Sequence, residues 1–382
     1  MSKRISIFLA AALVFYGLSL AAPTLAQAGT APAEVNISDV IAPRFVRAKV
    51  TQIVNESERD AGGVKVQTQE LRGRLLEGDD GGREVDIENS DDSGAFRRAE
   101  VGETLVLAVV SEDPGVRYYV ADHYRMPAML AVLGFFFLLA VALGRRRGFA
   151  SFVGLMLSIL ILATVVMPQI AAGYDPLMTA IAGSMLIIAL SMFMSHGPGK
   201  RTTVAVAATV MSLIASGVLA TAFVRMARLF GAGSDAAFYL QYSPISNIDL
   251  RGLLLAGIII STLGVLDDVT TAQVAAVEEI HNADPTLSHR ELYKRGLSVG
   301  REHIASLVNT LALVYAGASL PLFLVFHNNQ TQPLWVMLNG EPIAEEFIRT
   351  MVGSCGLILA VPISTWMAAV AYSKKSAERS SN

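Results

Sequence analysis

The sequence predicts an all-α polytopic membrane bundle of about seven spans, preceded by a small exported β-barrel-like module. Three observations predict it. The chain is 53% hydrophobic and 16% charged, against roughly a quarter charged for a soluble domain. That deficit belongs to the last two-thirds, where Ala128 to Tyr372 is mostly long apolar runs. The polar stretch from Thr30 to Arg125 alternates with the period of two that marks half-buried strands. The net charge of -3 is close to neutral and says little about partners.

The first element, residues 1–28, reads as an export signal. Lys3 and Arg4 precede an apolar core from Ile5 to Ala22, and Ala26-Gln27-Ala28 offers a small-x-small cleavage site. The segment is either cleaved or kept as an anchor; the following module is translocated in both cases.

That module, residues 30–125, is β-rich. Arg44 to Val50, Val64 to Thr68 and Arg83 to Ile87 alternate, and Leu105 to Val110 and Tyr118 to Val120 form short buried-strand runs. Gly62-Gly63, Gly78 to Gly82, Ser90 to Gly94 and Asp113-Pro114-Gly115 supply the turns. Five or six short strands in this length predict a small barrel, with an OB-like one the type suggested. The loop acids Asp79, Asp80, Asp91 and Asp92 match no calcium-loop spacing and read as solvated turns. No basic, aromatic-lined face is present, so nucleic acid is not an expected partner.

The bundle covers residues 126–373. Spans near the length a bilayer requires are expected at Pro127 to Leu143, Phe149 to Met167, Pro176 to Met194, Thr203 to Val224, Gly252 to Leu266, His303 to Phe326 and Phe347 to Tyr372. Arg145 to Arg147, Lys200, Arg201, Arg290, Lys294, Arg295, Arg301, Lys374, Lys375 and Arg379 fall on one side of these spans. Arg225, Arg228, Arg251 and Arg349 fall on the other. The positive-inside rule places the richer side in the cytoplasm. A cytoplasmic helical segment (268–300) and a cytoplasmic tail (374–382) follow, and the exported module lies outside, as the signal independently requires.

Polar residues inside apolar spans mark the candidate site. Asp267 and Asp268 end the run that starts at Gly252. On one helix Asp267, Thr271 and Glu278 share a face, with Asp267 and Glu278 ~16 Å apart along the axis. One straight helix therefore cannot close both carboxylates on a single ion. The next span enters through Arg301, Glu302 and His303, with Ser306 and Asn309 along one strip. A hairpin of the two spans would bring these groups to one depth, forming an ion- or proton-handling site; the plainer alternative is pairing in headgroup water.

Other motifs carry no chemistry. Ser195 to Thr202 resembles half a phosphate loop, but Met194 stands where its first glycine belongs. Gly353-Ser354-Cys355-Gly356 has no placed His/Asp partner, and Cys355, the single cysteine, excludes an intramolecular disulfide. No catalytic residue, metal ligand or cofactor site is assigned, and the chain is not expected to be an enzyme.

Leu263 to Gln273, Glu278-Glu279-Ile280-His281, Gly300 to His303 and Asn309-Thr310-Leu311 together resemble the YibE/F family of multi-pass bacterial membrane proteins. The likeness covers about Met126 to Tyr372. It implies a plasma-membrane bundle behind an exported N-terminal region. It implies location and architecture rather than mechanism, and it carries over no catalytic residue.

Two functions are expected from the residues. The first is a permease for a small solute or ion, coupled through Asp267 and Asp268, with Thr271 and Glu278 on the same helix. Ser306 and Asn309 line its path, with Arg301 and His303 at the mouth. The alternative is a non-transporting scaffold whose exported module and cytoplasmic segment bind an envelope or cytoplasmic protein. The lipid bilayer is a partner in either case, and a homo-oligomer is compatible with both.

Overall fold

In the computed structural model the chain divides into two compact units, Met1–Leu138 and Leu139–Asn382. The structure describes residues 44–61, 64–78, 80–90, 97–112, 115–241, 248–328 and 332–379. The expected signal segment 1–28, the turn acids Asp79, Asp91 and Asp92, and the last three tail residues lie outside the described residues.

The alternating stretches become β1 (Arg44–Ala61), β2 (Val64–Leu75), β3 (Glu84–Ser90), β4 (Thr104–Glu112) and β5 (Gly115–His123). They close into a barrel in the order β1-β2-β3-β5-β4. Every pairing is antiparallel except β3 with β5. This small five-stranded barrel is the architecture the alternation predicts. Along β3, inward residues alternate strictly with outward ones. Leu71, Leu75, Ile87, Leu105 and Leu107 fill the core, each burial worth about 1.5–3 kcal/mol.

Two details fix the barrel's shape. Register shifts at Val50/Gln52 and Ile53/Asn55 bend the long β1, as bulges do. Gly73 is required where β2 passes the core: a Cβ there would lie 2.6 Å from Ile87 Cδ1 and 3.1 Å from the Lys49 carbonyl. The buried amides are satisfied. Asn89 donates to Gln69 Oε1 (3.0 Å) and to the Arg97 carbonyl (3.0 Å), while Ala99 N–H donates to Gln69 Oε1 (2.8 Å). These bonds tie the segment before β4 to the barrel wall.

The second part of the chain is helical: α1 (Met126–Ile161), α2 (Met167–Ala171), α3 (Pro176–His196), α4 (Lys200–Met226), α5 (Asp235–Gln241), α6 (Leu250–Ala283), α7 (His289–Ala318), α8 (Leu320–Asn328), α9 (Leu334–Leu338) and α10 (Glu341–Arg379). Among the described residues, five helices are long and apolar enough to cross a membrane, against about seven expected. The first two expected spans lie within one run, Met126–Ala171, as two helices that meet at a kink. This run leaves helical geometry at Arg145 (φ 52°, ψ -129°) and passes through a π-turn at Leu162–Val166. The expected span His303 to Phe326 is divided between α7 and α8 at Ser319 and is not among the five. Val132, Phe135, Leu138 and Leu143 on α1 are exposed, as lipid contact requires.

Helices α4, α6 and α10 pack on one another; α3 adds to α6, and α7 adds to α10. Small residues permit the close approach. Gly356 of α10 sits against Ser216 and Thr262, and Gly300 of α7 against Val361 and Gln273.

Candidate functional site

Helix α6 begins beyond Asp249 and runs without proline or interior break to Ala283. Its buried stripe is apolar at Leu255, Ile258, Ile259, Leu263, Leu266 and Val274, with Thr262, Thr270 and Gln273 interspersed. The threonines cost little to bury because each returns its hydroxyl to its own helix. Thr262 donates to the Ile258 carbonyl (2.7 Å) and Thr270 to that of Leu266 (2.9 Å), the back-bonding pattern open to Ser and Thr. Thr270 also meets Thr209 of α4 at 2.6 Å.

Asp267 lies at the edge of this stripe, half-buried. Its Oδ1 is shielded and accepts no hydrogen bond from any described residue. The Thr271 hydroxyl, one turn along on the same face, is in the same condition. Asp268, the next residue, is exposed; its charge is felt by His196 at the end of α3. Glu278 sits farther along the Asp267 face and pairs with Arg201 of α4 at 3.8 Å. Beside it, the His281 and Tyr372 rings are 6.0 Å apart, and Lys200 Nζ stands 4.4 Å above the Tyr372 ring. The ends of α4, α6 and α10 thus gather two cations, a carboxylate, an imidazole and a phenol.

The expected contribution of α7 is different. Arg301 and Asn309 are exposed, and among the described residues neither forms an ion pair or hydrogen bond with Asp267 or Asp268. The side chains of His303 and Ser306 lie outside the described residues. Leu292, Gly296, Gly300 and Leu311 form the buried strip of α7, and packing that strip inward turns Arg301, Glu302 and Asn309 outward. Asp267, Thr271 and Glu278 therefore share one helix face, and among the described residues Arg301 and Asn309 do not join them.

Gln273 is the residue that sequence reasoning passed over. Fully buried, it donates through Nε2 to the Gly296 carbonyl (2.7 Å) and to Thr365 Oγ1 (2.8 Å). One amide thus joins α6, α7 and α10. The available signals were the glycines at 296 and 300, spaced one turn apart in an otherwise polar segment. A Cβ on Gly300 would lie 2.9 Å from Gln273 Oε1. Among the described residues, no group of three or more His, Cys, Asp or Glu is arranged to hold a metal ion.

The YibE/F-like protein family matches residues 132–374, most of the chain and nearly all of its helical part. The chain belongs to the YibE/F-like family. No curated protein and no solved structure matches it. The match contains all of α4, α6 and α7, and α10 as far as residue 374, and hence every residue of the candidate site.

This YibE/F-like bundle has a second polar cluster at the start of α10. Glu341 Oε1 accepts hydrogen bonds from the N–H groups of Phe230 (2.5 Å), Gly231 (3.0 Å) and Ala232 (3.4 Å), and Glu345 Oε1 accepts from Gly233 (2.9 Å). Successive N–H groups of a turn form a concave anion site, here filled by the protein's own carboxylates. Gly231 makes the turn possible, with φ at 84° and a Cβ position blocked by the Leu250 carbonyl. Arg251 completes the corner by donating to the Leu229 carbonyl (2.9 Å).

Proposed function

We propose that this YibE/F-like protein is a permease of the bacterial plasma membrane, not an enzyme, and that Asp267 carries the coupling proton or cation. One observation supports the reading above the others. A membrane-crossing helix keeps a carboxylate whose shielded oxygen has no hydrogen-bond partner among the described residues, with an equally unsatisfied hydroxyl one turn away. Such groups cost several kcal/mol in an apolar environment. A group that loads and unloads an ion gives a physical reason for retaining that cost. Glu278, His281 and Tyr372 continue the same line toward the end of α6, where Lys200 and Arg201 of α4 stand beside them. The excess of basic residues on that side supports a cytoplasmic location for it, with the signal segment directing the barrel outward.

The test is flux. Reconstituted in proteoliposomes with an enclosed pH dye, the parent protein is expected to pass protons down an imposed gradient. Asp267→Asn should abolish this flux, whereas Asp268→Asn, at an exposed position, should leave most of it. Unchanged flux in Asp267→Asn removes the proposed role. A second reading, in which the barrel docks an envelope partner, is favoured by a separate feature of the barrel surface.

A further inference from the structure

The barrel carries an open groove of about 960 Å³ on β2, β3 and β5. On its outer face the cross-strand partners are Arg74 with Glu84, Arg72 with Asp86, and Glu70 with Glu88. The first two couples are ion pairs, at 3.9 and 3.1 Å. The third sets two carboxylates directly opposite each other. Like charges so placed destabilise a sheet, and among the described residues neither glutamate meets a cation. Five carboxylates and three guanidiniums line the groove, and this pair accounts for the acidic excess.

The β3–β5 seam is also the most sparsely paired in the closed barrel. β3 and β5 are seven and nine residues long, yet they pair only at Ile87 with Tyr118 and Glu88 with Tyr119. Glu84 to Asp86 and Val116 to Arg117 line the groove instead of extending the ladder. A strand edge without ladder partners is a template for an added extended chain. Val54 and Val116, about half exposed at 50% and 52%, offer apolar contact at the groove's margins.

We infer that this groove docks an extended peptide segment bearing lysine or arginine, its backbone along the β3–β5 seam and one cation between Glu70 and Glu88. The occupant is cationic because the unpaired charge is negative, and it is an extended chain because the seam offers backbone groups as well as charge. The inference stands whether or not the bundle transports.

Full-length protein in nanodiscs of uncharged phosphatidylcholine, titrated into a fluorescein-labelled peptide of alternating lysine and valine, tests it by anisotropy. Binding is expected, weakening as salt is raised. The double variant Glu70→Gln/Glu88→Gln should bind roughly tenfold more weakly, the effect of losing two exposed ion pairs. Its thermal unfolding should be no lower than the parent's, because a repulsion has been removed. Glu100→Gln, outside the groove, should bind as the parent does. Equal binding by the double variant, or equal binding of a glutamate–valine peptide, overturns the inference. Binding of spermine without binding of the peptide overturns it in favour of a small polycation.

Discussion

In the barrel, charged and amide side chains meet one another; in the bundle, most buried hydroxyls meet their own backbone. Arg47 donates to both oxygens of Glu77 (3.1 and 2.8 Å) and to the Tyr124 hydroxyl (3.0 Å). Arg125 grips both oxygens of Asp122. By contrast Thr209, Ser212 and Ser216 on α4, and Ser364 and Thr365 on α10, each donate to the carbonyl four residues earlier. The barrel's links lie near water, and therefore titrate and respond to salt; those of Arg47 also join segments 30 and 77 residues apart in sequence. The bundle's links are local to one helix, so adhesion between helices falls to close packing and to a few cross-links such as Gln273.

The sharpest way to break this comparison is to obstruct the packing. Gly300→Leu drives side-chain atoms into Val361 and Gln273, and overpacking of this kind costs about 1–3 kcal/mol or more. Loss of monodisperse protein in detergent is expected, whereas Gly317→Leu, where a Cβ meets nothing within 4 Å, should be tolerated. Equal behaviour of the two would show that packing is not what holds α7 to α10. Next in size is Gln273→Leu, which removes two buried hydrogen bonds, to the Gly296 carbonyl and to Thr365 Oγ1, and should cost about 1–3 kcal/mol, read as a lower melting temperature in detergent.

The barrel side is tested with acid. Hydrogen bonds from Arg125 and from the His123 N–H hold the Asp122 carboxyl down at about 2. Burial pushes Glu103 up, but its bonds to His123 and the Glu100 N–H outweigh this and leave it lowered. A depressed carboxyl stabilises the fold fully above its unfolded value, about 3.9 for Asp, and ceases to do so as pH falls through the folded value. Amide exchange in β5 should therefore accelerate between about pH 4 and 2, and Asp122→Asn should flatten that dependence. The smallest effect is expected from Arg201→Ala. Its pair with Glu278 is partly exposed, so the melting loss should correspond to less than about 1 kcal/mol.

The strands were legible because alternation is a local property: Val85, Ile87 and Asn89 face inward as the pattern requires. The apolar helices were legible by length. The boundary between the first two spans was legible as well: three successive arginines mark it in sequence, and Arg145 separates two helices at a kink. Asp267, Thr271 and Glu278 fell on one face because helical periodicity fixes their angles. The outward placement of Arg301 and Asn309 was not legible. It depends on which strip of α7 packs, and glycines 296 and 300 settle that only once Val361, Thr365 and Gln273 are known to face them. The Gln273 to Thr365 bond spans 92 residues of sequence and leaves no local signature.

One carboxylate, on Glu341, holds three consecutive N–H groups of the turn that follows α4, while Arg251 at the head of α6 grips the carbonyl just before them. Those contacts make a yoke. Tilting α10 at that rim drags the turn along, and with it the ends of two other rods, so rearrangement there proceeds as the swing of a coupled trio rather than the slip of a single helix.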